Sequence, residues 1–70
     1  MSCFVHHMIR KGIFFELGIF ASEENADDLE SKIASIVGLS GHGCDEVWTE
    51  VSAWLENKRL KEVLKQKLLE

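Results

Sequence analysis

The side chains best suited to chemistry in this 70-residue chain are His6, His7, His42, Cys3 and Cys44. Sulfur and imidazole donors of this kind hold tetrahedral zinc. Their spacing does not build a closed site. There is no Cys-x-x-Cys knuckle, and one residue separates His42 from Cys44. His6 and His7 are adjacent, so on a strand they point to opposite faces and only one of them could join a shared site. The expectation is one histidine hydrogen-bonded at the core edge, the other paired with Glu16, and no metal.

His42 and Cys44 could also form a base and nucleophile, with Cys44 just ahead of a helix start that favours a thiolate. No acid is placed to orient the histidine, and no oxyanion-binding group accompanies the pair. Gly41-His42-Gly43 resembles a phosphate cradle only in its glycines. No strand leads into it, and no Lys or Ser/Thr follows at the required place. The sequence therefore predicts a non-enzymatic protein without a cofactor.

Such a chain makes one domain, and cores this small often lean on oligomerisation, metals or disulfides. Its composition, 46% hydrophobic and 29% charged, is that of a globular chain rather than a disordered one. Two cysteines make no disulfide framework, so the expectation is free thiols in a reducing, cytoplasmic setting. Arg10 and Lys11 interrupt the apolar N-terminal stretch and no small-residue cleavage site follows, which argues against a signal peptide. His6, His7, Arg10, Lys11 and Glu16 also rule that stretch out as a membrane span.

The net charge of −4 is unevenly distributed. Residues 13–57 carry ten acidic side chains against Lys32 alone, a local charge of −9. Residues 58–70 carry Lys58, Arg59, Lys61, Lys65 and Lys67 against Glu62 and Glu70. An acidic body with a basic tail suggests complementarity within one chain or between two.

The elements that must position these groups begin with residues 3–20, two apolar runs on either side of Arg10-Lys11-Gly12. This pattern predicts a β-hairpin with Gly12 in the left-handed position. A three-residue loop pairs Ile9 with Ile13, Val5 with Leu17 and Cys3 with Ile19. One face then carries Cys3, Val5, His7, Ile9, Ile13, Phe15, Leu17 and Ile19. The other carries Phe4, His6, Met8, Phe14, Glu16 and Phe20, with His6 opposite Glu16 and Gly18 opposite Phe4. A two-residue loop would shift the register and force Lys11 to a positive φ. All four phenylalanines of the chain lie in this hairpin.

The next element is a helix over 22–38, with Ser22 as its N-cap and Glu23, Glu24, Asp27, Asp28 and Glu30 in its early turns. Ala26, Leu29, Ile33, Ile36 and Val37 form its apolar stripe, and Gly38 stops it. A second helix over 45–69 follows the 40–44 connector, capped by Asp45. Val47, Trp48, Val51, Trp54 and Leu55 define its first face. At about 100° per residue, Leu60, Val63 and Leu64 centre roughly 180° from that face. Either the helix breaks near Asn57 and the tail folds back, or one continuous helix shows its second half to a neighbour. The absence of Gly and Pro from 56–59 favours the continuous helix.

The fold class expected is α+β, a ββαα domain that forms a homodimer. Two helices can cover one face of the hairpin, so the dimer interface is expected either on Phe4, Met8, Phe14 and Phe20 of the other face or on Leu60, Val63 and Leu64 of the tail. Trp54 is assigned to the core. Trp48 and the acidic cluster Glu23, Glu24, Asp27, Asp28 and Glu30 are assigned to a larger protein target, since aromatic anchors dominate hot spots. The function expected is inhibition or redirection of that target, in the manner of phage or mobile-element products that act on a host enzyme, defence complex or regulator. The alternative is a small dimeric transcriptional regulator or antitoxin-like protein that binds DNA through its basic tail. An acidic body repels phosphate, and a greasy hairpin differs from the polar strand of ribbon-helix-helix repressors, so nucleic acid is the weaker reading.

Overall fold

Residues 4–17, expected as strands, repeat their apolar side chains at helical spacing. Phe4, Val5, Met8 and Ile9 fall on one side of a helix and His6, His7 and Arg10 on the other. In the computed structural model, which describes residues 4–70, this stretch forms two short helices, α1 (Val5–Arg10) and α2 (Ile13–Leu17). The β-hairpin and the α+β class are thereby corrected. All regular elements among the described residues are helical, completed by α3 (Ala26–Ile36), α4 (Cys44–Glu56) and α5 (Lys58–Leu69). Cys3, placed in the hairpin from sequence, lies outside the described residues.

Gly12 does take the left-handed conformation, at φ 73°, but as the corner between two helices. Its N–H donates to the Ile9 carbonyl, and its own carbonyl accepts from Glu16 N–H to open α2. A left-handed glycine serves a hairpin loop and a helix C-terminus equally well. The expected strand pairs are absent: Glu16 meets Lys61 at 3.6 Å instead of His6.

α3 begins later than the sequence suggested. Asn25 Oδ1 accepts from Ser22 N–H at 2.8 Å, so the 22–25 segment closes as a turn and Ser22 does not cap the helix. At the other end Gly38 N–H donates to Ser35 and Leu39 N–H to Ala34, a Schellman termination.

The second helical tract breaks at Asn57, and the continuous helix expected there does not form. Asn57 is extended, at φ −105° and ψ 116°, and not left-handed. Its Oδ1 accepts from Arg59 N–H at 3.0 Å and Leu60 N–H at 3.1 Å, capping α5. One extended residue turns the chain, and α5 packs back on α4 and α3. This resolves the flipped apolar face within the chain, with Leu64 and Leu68 buried.

The core collects residues from every helix. Phe4, Val5 and Met8 meet Phe14 and Leu17, Ala26, Leu29, Ile33 and Ala34, Val47 and Val51, and Leu64 and Leu68. Phe4, Met8, Phe14 and Leu64, expected at a dimer interface, therefore serve the monomer's own core. Trp54 packs against its edge. No helix among the described residues is long and apolar enough to cross a membrane.

Two substitutions test this packing. Phe14 is 2% exposed, so Phe14→Ala should cost about 3–5 kcal/mol, enough to unfold much of a small domain at ambient temperature. Circular dichroism melts would show a lost or strongly lowered transition. Asn57→Ala removes the α5 cap and should cost about 1 kcal/mol, a fall of roughly 4–8 °C in Tm, whereas Asn57→Asp should retain most of it.

Candidate functional site

The most exposed large apolar side chains follow directly from how α2 is closed. Phe14 and Leu17, three residues apart, turn inward and are buried, so Phe15 between them turns outward and is 88% exposed. At Gly18, φ 74°, the chain reverses: Gly18 N–H donates to Phe15 and Ile19 N–H to Phe14 at 2.9 Å. A side chain with a Cβ would be strained in that conformation. The reversal tucks Ile19 against the core and projects Phe20, 81% exposed. Asn25 then fixes the following turn, its Nδ2 donating to the Phe20 carbonyl at 3.0 Å while Oδ1 holds Ser22.

Between the two phenylalanines lies an apolar groove of about 260 Å³, lined by Ile9, Phe14, Phe15, Ile19, Phe20 and Ala21. A second depression of about 530 Å³ adjoins it through Ile9 and is lined by His6, Arg10, Ser22 and Glu23. Its α1 wall is basic and its opposite wall acidic. Phe15 was missed in the sequence reading, which placed it on the inward face of a strand. The Phe14/Leu17 spacing was the signal for helix, and on a helix Phe15 faces away.

Of the acidic residues expected to meet a target, Glu23 lines this second depression. Glu23 and Glu24 lie exposed in the turn after Phe20, and Asp27 and Asp28 are exposed on the first turn of α3, where the helix dipole favours them. Glu30 is half-buried. Lys32, the sole cation of residues 13–57, points its Nζ to the Leu68 and Glu70 carbonyls at 3.2 and 3.0 Å. Its charge closes the end of α5.

Trp48 sits elsewhere. Its ring stacks on Phe4 at 6.2 Å and meets the edge of His7 at 5.3 Å. Phe4, His7, Cys44, Asp45 and Trp48 line a separate depression of about 260 Å³. Trp48 is half-buried and does not join the acidic cluster. Leu60 and Val63 are half-buried on α5.

The residues considered for catalysis do not form a nucleophile pair. His42 Nδ1 lies 2.7 Å from Glu46 Oε2, and Cys44 is disulfide-bonded, correcting the free thiol expected there. The sulfur is thereby unavailable as a nucleophile, and the thiol argument for a reducing compartment falls with it. Among the described residues no three His, Cys, Asp or Glu side chains converge as metal ligands. No family model, curated protein or solved structure matches the chain.

The disulfide anchors the first residue of α4 and should stabilise the fold by about 2–4 kcal/mol. Thermal melts with and without reductant check this. Wild-type protein should melt markedly lower under reduction, and Cys44→Ser should melt low in both conditions. A wild-type Tm indifferent to reductant would show that the bridge adds nothing.

Proposed function

We propose that this chain is a non-enzymatic protein-binding module that works as a homodimer and inhibits or redirects a larger protein. The observation carrying this reading is the exposure of Phe15 at 88% and Phe20 at 81% on either side of an apolar groove. Phenylalanine rings of this exposure together offer on the order of 300–400 Å² of apolar surface, comparable to the largest patch of a typical monomer, which is often functional. Defined hydrogen bonds hold the backbone beneath them, so little ordering cost accompanies binding.

Glu23 lines the depression beside this surface, and Glu24 and Asp28 are exposed on the segment that follows it, with Lys32 committed to the end of α5. The chemistry that fits such a border is a basic protein surface. Long-range attraction would speed encounter more than it tightens the final complex. The acidic border also argues against nucleic acid as the primary ligand.

The test begins with a partner captured from the cells of origin and purified. Against it, the double reversal Glu24→Lys/Asp28→Lys should slow association and flatten its salt dependence, with Tm nearly unchanged because both side chains are exposed. An unchanged on-rate and salt slope would reduce these carboxylates to a solubilising face. Capture of duplex DNA in place of a protein, with affinity falling steeply as salt rises, would replace this reading with a regulator.

A further inference from the structure

The apolar groove between Phe15 and Phe20 joins, through Ile9, a depression lined by Arg10 of α1 and by Glu23 of the following turn, and that asymmetry of charge identifies its occupant. Arg10 stands at the end of α1 on one wall and Glu23 opens the turn on the other, with Ile9 between them common to both depressions. Neither Arg10 nor Glu23 has an ion-pair partner among the described residues of its own chain. We propose that a second copy of this chain closes the groove, related to the first by a two-fold axis running along it.

The axis direction follows from the charges. A two-fold along the groove sets the α1 wall of one copy against the 22–24 wall of the other, so Arg10 meets Glu23 of the second copy, and the contact occurs twice. A two-fold across the groove would set Arg10 on Arg10 and Glu23 on Glu23, which repel. The centre of the interface is then the two phenylalanines from each copy, rings that gain from mutual packing as well as from leaving water. A different partner would have to present both charge signs at matching separation, whereas a second copy supplies them by symmetry.

This inference rests on the protein-binding reading and divides its surface. The apolar groove joins the two copies, while Glu24 and Asp28 remain outside it for the target. A dimer also places two such acidic edges on one particle, which raises the effective concentration at a target with two basic sites.

Sedimentation equilibrium over a concentration series tests it. Wild-type protein should dimerise, and Phe15→Ser/Phe20→Ser should weaken the dimer by about tenfold or more while keeping its helical signal and Tm, since neither ring lies in the core. Arg10→Glu alone and Glu23→Arg alone should each weaken the homodimer. Mixed together, these two variants should form a heterodimer of near wild-type affinity, because both cross-copy pairs are then matched. Wild-type protein that stays monomeric at high micromolar concentration overturns the inference, as does a dimer indifferent to the phenylalanine pair. Single charge variants that dimerise as well as wild type overturn the axis. A monomeric protein that still binds a target, and loses it with the double phenylalanine variant, would leave the protein-binding reading standing and this inference refuted.

Discussion

Every helix here is too short to persist alone, and the fold depends on burying their apolar stripes against one another. The longest helix, α4, has 13 residues and α2 has five, whereas isolated helices below about 12–15 residues are marginal in water. α3 contacts both α1 and α5, and its Ile33 is wholly buried, as are Val5 and Met8 of α1, Val51 of α4 and Leu64 of α5. Intrinsic propensity does little under these conditions. The β-branched and aromatic residues of α1 and α2 favour strand, yet burial of Phe4, Val5, Met8, Phe14 and Leu17 in the shared core overrides that preference.

That override explains which parts of the fold were legible in the sequence. The bodies of α3 and α4 and the stop at Gly38 could be read because their polar and apolar positions alternate with a clear helical period. The reversal of apolar face beyond residue 56 was also visible. Its cause was not, because an asparagine capping a new helix looks in sequence like any polar residue inside a longer one. Residues 4–17 failed for a different reason. Phe15 and Ile13 add apolar positions outside the buried stripe, so the run appears greasy on every face, and a strand with two apolar faces fits it as well as a helix does. Gly12 could not arbitrate, since its positive φ is required in both.

The candidate site was legible as chemistry more than as geometry. The sequence implied an uncovered apolar surface and, separately, an acidic cluster; the structure exposes Phe15 and Phe20, with Glu23 in the depression that adjoins their groove. The particular rings differ. Of the four hairpin residues assigned to the dimer interface, only Phe20 is exposed, because Phe4, Met8 and Phe14 fill the monomer core. Read with a strand period, Phe15 pointed inward. With a helical period it points outward, and no composition-level argument distinguishes the two.

The exposed rings are tied to the fold itself. The bond from Ile19 N–H to the Phe14 carbonyl closes the end of α2, buries Phe14 and Leu17, and sends Phe20 outward in the same reversal. Hiding Phe20 would require a different turn at Gly18, leaving α2 carbonyls without donors at a cost comparable to a lost hydrogen bond. Hiding Phe15 would require rotating α2, which would draw Phe14 or Leu17 from the core. Burying such a side chain is worth about 1.5–3 kcal/mol, so the exchange gains little and loses the packing of α1 on α2. The chain is thus confined to a fold with its two phenylalanines in water. On the proposed reading another molecule covers them where they stand, so the local bonds that close α2 also set the surface through which the chain would associate.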